Sequence, residues 1–169
     1  SDSLQEGMVI AVQSALEDSA TASRAARWLG VAVAVIATIV LAGWALDIPA
    51  LRSALPFGVA MRANAALALI LCGISLAILA GPDPGKGRIV AAAVGPFVVV
   101  LAAATLWQDI ADTSIGIDEW LFLDNDRSGR TANPGRMSSP TSFCLILIGA
   151  ALTLQARPLQ WRFTHVVTG

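Results

Sequence analysis

The polar residues that could do chemistry in this chain lie between its apolar runs. Residues 124–135 read DNDRSGRTANPG, and four of them match positions 1, 3, 5 and 6 of an EF-hand calcium loop. Those four are Asp124, Asp126, Ser128 and Gly129. Position 12 of such a loop is a bidentate Glu, but here it is Gly135, and two arginines inside the segment oppose a bound cation. We therefore predict a solvated polar turn and no metal site.

No other group of residues predicts catalysis. The only histidine, His165, lies in the C-terminal tail, and the cysteines Cys72 and Cys144 lie in apolar runs without a neighbouring ligand. The formal net charge is −1, so charge gives no support for a nucleic-acid partner. We predict no catalytic residue and no cofactor in this segment.

Composition predicts the elements that position the remaining polar residues. Hydrophobic residues make up 56% of the chain and charged residues only 14%, against about a quarter in a typical soluble domain. Four apolar runs would each reach about 25–29 Å as helices, close to the thickness of a bilayer core. They cover residues 28–46, 63–80, 89–107 and 140–156. We predict an all-α membrane protein with four transmembrane helices in a domain over residues 28–156.

The four runs contain no charged residue and no histidine. Because proton and ion pathways usually need ionisable groups in the membrane, a pump or coupled transporter is disfavoured. Gly95 and Pro96 interrupt the third run, and we interpret them as a kink in a helix.

Residues 1–27 precede the first run. They carry Leu4, Met8, Val12 and Leu16 at helical spacing. This pattern predicts a short amphipathic helix, on the membrane surface or against a partner chain. A solvated, partly frayed segment is the alternative.

The distribution of positive charge predicts the orientation. Six of the 11 Lys and Arg residues would lie on the side of both termini and of the short turn over residues 81–88. The excess is small, but three of the opposing cations lie in one long loop, where they count less. We predict that both termini are cytoplasmic, in a bacterial inner membrane. Two outer loops would then carry short interfacial helices, one starting at Asp47 as its N-cap and one around Trp120.

One phrase occurs twice. Residues 58–76 read GVAMRANAALALILCGISL and residues 134–152 read PGRMSSPTSFCLILIGAAL. When Met61 is aligned with Met137, Gly73 falls on Gly149 without a gap. We predict two helical hairpins that run in the same direction, as a parallel repeat, with the phrase at the outer entrance of spans two and four.

The residues of the repeat have predicted structural roles. Asn64 is predicted to cap span two, and Ser139 to cap span four, with Pro140 in the first turn; Thr141 belongs to the same repeat motif. The mid-span glycines, each with a small residue four positions later, permit close approach of neighbouring helices.

A ligand, if one is sensed, is expected at the outer mouth of the bundle, where polar and aromatic residues of both outer loops meet. The candidate residues are Asp47, Arg52, Trp107, Asp118, Trp120 and Arg136. The alternative is that these segments only seal the bundle.

Two motifs resemble the N-terminal membrane region of bacterial PAS-containing histidine kinases, and of some diguanylate cyclases, over roughly residues 30–156. The family pattern Gly-Ile-Asp-x-x-Leu-Phe is matched by Gly116, Ile117, Asp118, Leu121 and Phe122. The pattern Arg-Met-x-Pro-x-Thr-Ala is matched by Arg136, Met137, Pro140 and Thr141. In the second match the proline is displaced by one residue and Ser142 replaces alanine; in the first repeat Ala65 stands where threonine is usual.

The resemblance implies a sensory or anchoring input domain that forms a homodimer in the lipid bilayer. A cytoplasmic tail, residues 157–169, would lead to a kinase or cyclase module that is missing here. The alternative from another class is a small accessory subunit inside a larger membrane complex, since apolar spans without catalytic residues suit that role equally well.

Overall fold

The computed structural model describes residues 2–52, 60–82, 85, 87–113, 116 and 136–156. These residues form four α-helices, with a short 3₁₀ helix between the first two, and this part of the chain contains no strand. The helices are α1 (Asp2–Ala45), the 3₁₀ helix (Pro49–Leu51), α2 (Ala63–Leu79), α3 (Gly87–Ile110) and α4 (Ser139–Ala156). The predicted all-helical class is confirmed.

Three of the helices, α1, α3 and α4, are long and apolar enough to cross a membrane. The shortest of these, α4, has 18 residues, whereas α2 has 17 and falls just below that length. Seventeen residues still extend about 26 Å. The helices therefore fit a membrane protein, and the crossing by α2 is part of the proposal made below.

The structure shows no helix boundary at residue 28, where the first span is predicted to begin. Instead α1 is one helix of 44 residues, about 66 Å long and roughly twice the thickness of a bilayer core. No Gly or Pro interrupts residues 8–29, and alanines dominate the junction, so nothing in the sequence ends the helix there. Every side chain described over residues 5–22 is exposed.

Two close helix pairs build the bundle: α1 packs along α2, and α3 packs along α4. The central helix α2 also contacts both α3 and α4, and its buried residues lie between Ala63 and Ser75. The larger apolar cluster draws on three helices and the segment before α4. Its buried members are Ala65, Ala68, Cys72, Val98, Ala102, Met137, Leu145 and Leu152.

A pair of glycines lies at the crossing point of each close helix pair. A Cβ added to Gly73 would lie 2.5 Å from the carbonyl oxygen of Gly30, so α1 and α2 touch through their backbones there. A Cβ added to Gly149 would lie 2.8 Å from the carbonyl oxygen of Gly95, which brings α3 and α4 equally close. One turn after Gly73 in α2, Ala77 also approaches Gly30, and one turn after Gly149 in α4, Thr153 also approaches Gly95. Small residues at this spacing are usual where backbones approach in membrane helices.

The ends of α1 and α3 have the same backbone conformation. Asp47 and Asp112 both have a left-handed conformation, with φ of 56° and 46°. The next residues close the helices: the Ile48 amide donates to the Gly43 carbonyl at 2.9 Å, and the Thr113 amide donates to the Gln108 carbonyl at 3.1 Å. This is the Schellman arrangement, here with aspartate where glycine is the usual residue.

These equivalences fix the register between the first helices of the two units. Residues 30, 43 and 47 correspond to residues 95, 108 and 112, a constant separation of 65 (95 minus 30). Trp44 therefore corresponds to Asp109 and not to Trp107, although the two tryptophans align by eye. In the second helices, Met61 and Met137 precede helix starts at Ala63 and Ser139, as the aligned phrases require.

The predicted role of Asp47 as an N-cap is wrong. Because its φ is positive, Asp47 ends α1, and the extended residue before the 3₁₀ helix is Ile48, which makes no side-chain capping bond. The described part of the first outer helix is a single 3₁₀ turn. The second predicted outer helix with Asp118 and Trp120, the calcium-like loop over residues 124–135 and the tail over residues 157–169 lie outside the described residues.

Candidate functional site

The entrance to α2 is attached to the end of α1 through a tryptophan. The indole Nε1 of Trp44 donates a hydrogen bond of 2.8 Å to the carbonyl of Met61. The Arg52 guanidinium lies over the Trp44 ring, 4.5 Å from its centroid, and forms an ion pair with Asp47. The Met61 amide in turn donates to the Arg52 carbonyl at 2.8 Å. Trp44, only 7% exposed, therefore fixes the chain just before α2.

The entrance to α4 is attached to the end of α3 through an arginine. Arg136 is 7% exposed, and its guanidinium donates to the carbonyls of Gln108 and Thr113 at 3.3 and 2.6 Å. The Gln108 carbonyl belongs to the last turn of α3, and the Thr113 carbonyl lies just beyond the end of that helix, where a cation is favourable. Arg136 Nη1 also lies 3.5 Å from Asp109 Oδ1, and Ser139 donates a hydrogen bond to the other oxygen of that carboxylate.

The helix starts differ from the predicted caps by one or two positions. For α2 the extended residue is Arg62, with φ −70° and ψ 146°, so Asn64 lies inside the first turn and is buried instead of capping the helix. For α4 the helix begins at Ser139, one residue before the predicted position. The hydroxyl of Ser139 binds Asp109, and it is Ser138, just before the helix, that bonds to Thr141 Oγ1 at 2.8 Å.

The two entrances enclose one cavity of about 370 Å³, which we call the entrance cavity. Met61 and Met137, the residues that define the sequence repeat, both line it. The other lining residues are Ala60, Arg62, Ala65, Leu69, Arg136, Ser138 and Thr141. Its volume lies at the small end of the range for ligand pockets. Apolar side chains from α2 form one part of its wall, and guanidinium and hydroxyl groups form another.

The structure brings together only some of the predicted outer-mouth residues. Arg136 lines the entrance cavity, whereas Asp47 and Arg52 form a separate pair beside Trp44. Trp107 is 63% exposed on the outside of α3 and does not line the cavity. Asp118 and Trp120 lie outside the described residues.

Sequence reasoning missed three residues at this site: Arg62 in the cavity wall, and Gln108 and Asp109 at the end of α3. Gln108 is fully buried, and Asp109 is the acidic partner of Arg136. The repeat could have identified Asp109, because the separation of 65 residues makes it equivalent to Trp44. Trp44 is the residue that holds the entrance to α2.

The chemistry of the site is that of binding and positioning. No three His, Cys, Asp or Glu side chains come together among the described residues to hold a metal ion. The arginines are held by carbonyls, a carboxylate and an aromatic ring. The entrance cavity can accept a small molecule that combines an apolar body with hydrogen-bond acceptors.

The fold and the cavity define an all-helical protein with helices of membrane-spanning length. No family model, curated protein or solved structure matches this chain.

Proposed function

We propose that this chain is the membrane-embedded sensory or anchoring input domain of a bacterial signal-transduction protein, in the first place a sensor histidine kinase, with a diguanylate cyclase as the other output. All four helices cross the inner membrane as two hairpins in parallel repeat, with both termini in the cytoplasm. The domain forms a homodimer and passes its state to a cytoplasmic module in the same chain. The family resemblance of the motifs around Gly116 and Met137 supports this assignment.

The observation that carries the proposal is the entrance cavity, which both repeated entrances form together. Each entrance is attached to the preceding helix by a different device: an indole hydrogen bond at Met61, and a buried arginine just before Met137. A ligand in the cavity, or a change in the bilayer, that prefers one packing of α2 against α4 shifts the population of the two packings. The C-terminal end of α4 carries that shift to the cytoplasm.

The parallel repeat makes a sharp prediction about topology. Asp47 and Asp112 are equivalent, exposed residues at the ends of α1 and α3. With both native cysteines replaced by serine, Asp47→Cys and Asp112→Cys should both react with a membrane-impermeant maleimide added to spheroplasts. Cysteines at the opposite end, Gln5→Cys and Pro82→Cys, should react only after the cells are lysed.

An inverted repeat or a soluble bundle gives other patterns. If the helices were inverted relative to each other, Asp47→Cys and Asp112→Cys would react from opposite sides. If all four cysteines reacted equally in the soluble fraction, the membrane placement would be wrong. Either pattern would overturn the proposed arrangement.

A second candidate function is an accessory subunit of a larger membrane complex. The N-terminal half of α1 favours this function, because every side chain described over residues 5–22 is exposed. This part of α1 offers a surface for another subunit of a complex. Reading the coding sequence beyond Gly169 separates the two functions. We expect an in-frame PAS, kinase or cyclase module, whereas an immediate stop codon would support the accessory subunit.

A further inference from the structure

A second recess, on the outside of the bundle, lies between α1 and α2. It is an open groove of about 640 Å³, lined by residues 27–39 of α1, residues 74–78 of α2, and Gly81 and Pro82 just after α2. The wall is almost entirely aliphatic. The lining residues are Arg27, Val31, Ala34, Val35, Thr38, Ile39, Ile74, Ala77, Ile78, Gly81 and Pro82.

The groove follows from the packing of small residues next to it. Gly30 and Gly73 bring the two backbones into contact, and the small side chains Ala34 and Ala77 beside them form part of the groove wall. Thr38 does not add a free hydroxyl, because its Oγ1 donates to the Ala34 carbonyl at 2.7 Å. The surface presented by this part of the groove is therefore apolar.

The length of the groove matches one leaflet. From residue 27 to residue 39, α1 rises about 18 Å, and half of a bilayer core is about 15 Å. A groove of this length and composition, open to lipid, fits one acyl chain.

Cationic and interfacial residues mark only one end of the groove. Arg27 lines that end, Arg24 lies one turn before it, and Trp28 beside it is 71% exposed. None of the described residues that line the groove is acidic. Arginine and tryptophan together are typical of the headgroup level of a membrane, and basic pockets between helices on the cytoplasmic side bind anionic headgroups.

We propose that this groove binds one anionic phospholipid of the cytoplasmic leaflet. An acyl chain lies between Val31–Ile39 of α1 and Ile74–Ile78 of α2, and the phosphate accepts hydrogen bonds from Arg27. The inference rests on the membrane placement proposed above.

A second copy of the chain fits the groove less well than a lipid. In a dimer with its two-fold axis along the membrane normal, equivalent residues lie at the same depth. If the two grooves faced each other, Arg27 would approach Arg27 of the partner, and like charges in such proximity are unfavourable.

The test is native mass spectrometry of the full chain released from mixed micelles with equal amounts of phosphatidylglycerol and phosphatidylcholine. The wild type should retain one phosphatidylglycerol in preference to phosphatidylcholine. Arg27→Gln should lower the retained phosphatidylglycerol about fivefold and should lower phosphatidylcholine less, so that the preference for the anionic lipid decreases. Thr38→Phe, which fills the groove from its exposed side, should reduce the binding of both lipids.

Arg88→Gln is the matched control, because Arg88 is a cation at the same end of the bundle and does not line the groove. It should behave as the wild type. Equal effects of Arg27→Gln and Arg88→Gln, or no preference in the wild type, would overturn the proposal. A dimer that Thr38→Phe dissociates would instead assign the groove to a second copy. If the cysteine labelling gives the expected topology and the lipid preference is absent, only the lipid site fails.

Discussion

Gly73→Leu is expected to separate α1 from α2 and to destabilise the folded protein by about 3 kcal/mol or more. The smallest side chain already meets backbone atoms: a Cβ at this position would lie 2.5 Å from the Gly30 carbonyl oxygen and 2.9 Å from the Ala34 amide nitrogen. Backbone atoms cannot rotate away as a flexible side chain can, so the helices must move apart. Overpacking of a close-packed core costs about 1–3 kcal/mol, and leucine adds three further carbons beyond Cβ.

Gly149→Leu should have a comparable effect on the second helix pair. A Cβ there would lie 2.8 Å from the Gly95 carbonyl oxygen and 3.2 Å from the Val99 amide nitrogen. The matched control is Gly7→Leu, because nothing lies within 4 Å of a Cβ at Gly7. Leucine is the better helix former, so Gly7→Leu should be neutral or stabilise α1 by up to about 1 kcal/mol.

The measurement is the midpoint of SDS-induced unfolding in mixed micelles, followed by tryptophan fluorescence and circular dichroism. Gly73→Leu and Gly149→Leu should lower the midpoint strongly, and Gly7→Leu should not. If all three variants unfolded at the wild-type midpoint, the backbone contacts at the two crossings would be absent from the protein in solution.

The hydropathy pattern predicted α2, α3 and α4 to within three residues at each end, but not the start of α1. The predicted spans 63–80 and 140–156 correspond to α2, Ala63–Leu79, and α4, Ser139–Ala156. This works because a helix in lipid satisfies its own backbone groups, so an apolar run of the right length has few alternatives. The spacing of small residues, and not hydropathy, predicted that Gly73 and Gly149 permit close approach of helices, and the structure places both in backbone contact.

Other features depend on information that local pattern does not carry. Hydropathy changes at residue 28, but the helix does not end there, because a change of environment need not interrupt the hydrogen bonds of a helix. The cap of α2 was misplaced because Asn64 is buried in the bundle, and burial is a tertiary property. The ion pair of Arg136 with Asp109 joins residues far apart in sequence, and only the register of the repeat connects them.

Arg136→Gln is expected to destabilise the packing of α4 against α3 by about 3 kcal/mol. The Arg136 side chain is 5% exposed, and it donates hydrogen bonds to the carbonyls of Gln108 and Thr113 as well as pairing with Asp109. Removing one member of a buried charge pair typically costs about 3–5 kcal/mol. The lower end applies here because the Asp109 side chain is 30% exposed and water can solvate the carboxylate that remains.

Arg52→Gln is the matched control at the other entrance. Its ion-pair partner Asp47 has a side chain that is 91% exposed, so the ion pair contributes little to the free energy of unfolding. Stacking of Arg52 on Trp44 adds about 0.5–1 kcal/mol. The entrance of α2 also keeps the hydrogen bond from Trp44 to Met61 when Arg52 is changed. We therefore expect a loss of about 1 kcal/mol, a third of the effect of Arg136→Gln.

The same unfolding titration compares the two arginines, and the double variant Arg136→Gln with Asp109→Asn isolates the ion pair. Because Arg136 also donates to the carbonyls of Gln108 and Thr113, Asp109→Asn alone should cost less than Arg136→Gln. The double variant should cost less than the sum of the two single variants, since the two groups interact directly. Equal losses for Arg136→Gln and Arg52→Gln would mean that the α4 entrance is solvated, and strict additivity in the double variant would mean that the carboxylate does not hold the guanidinium.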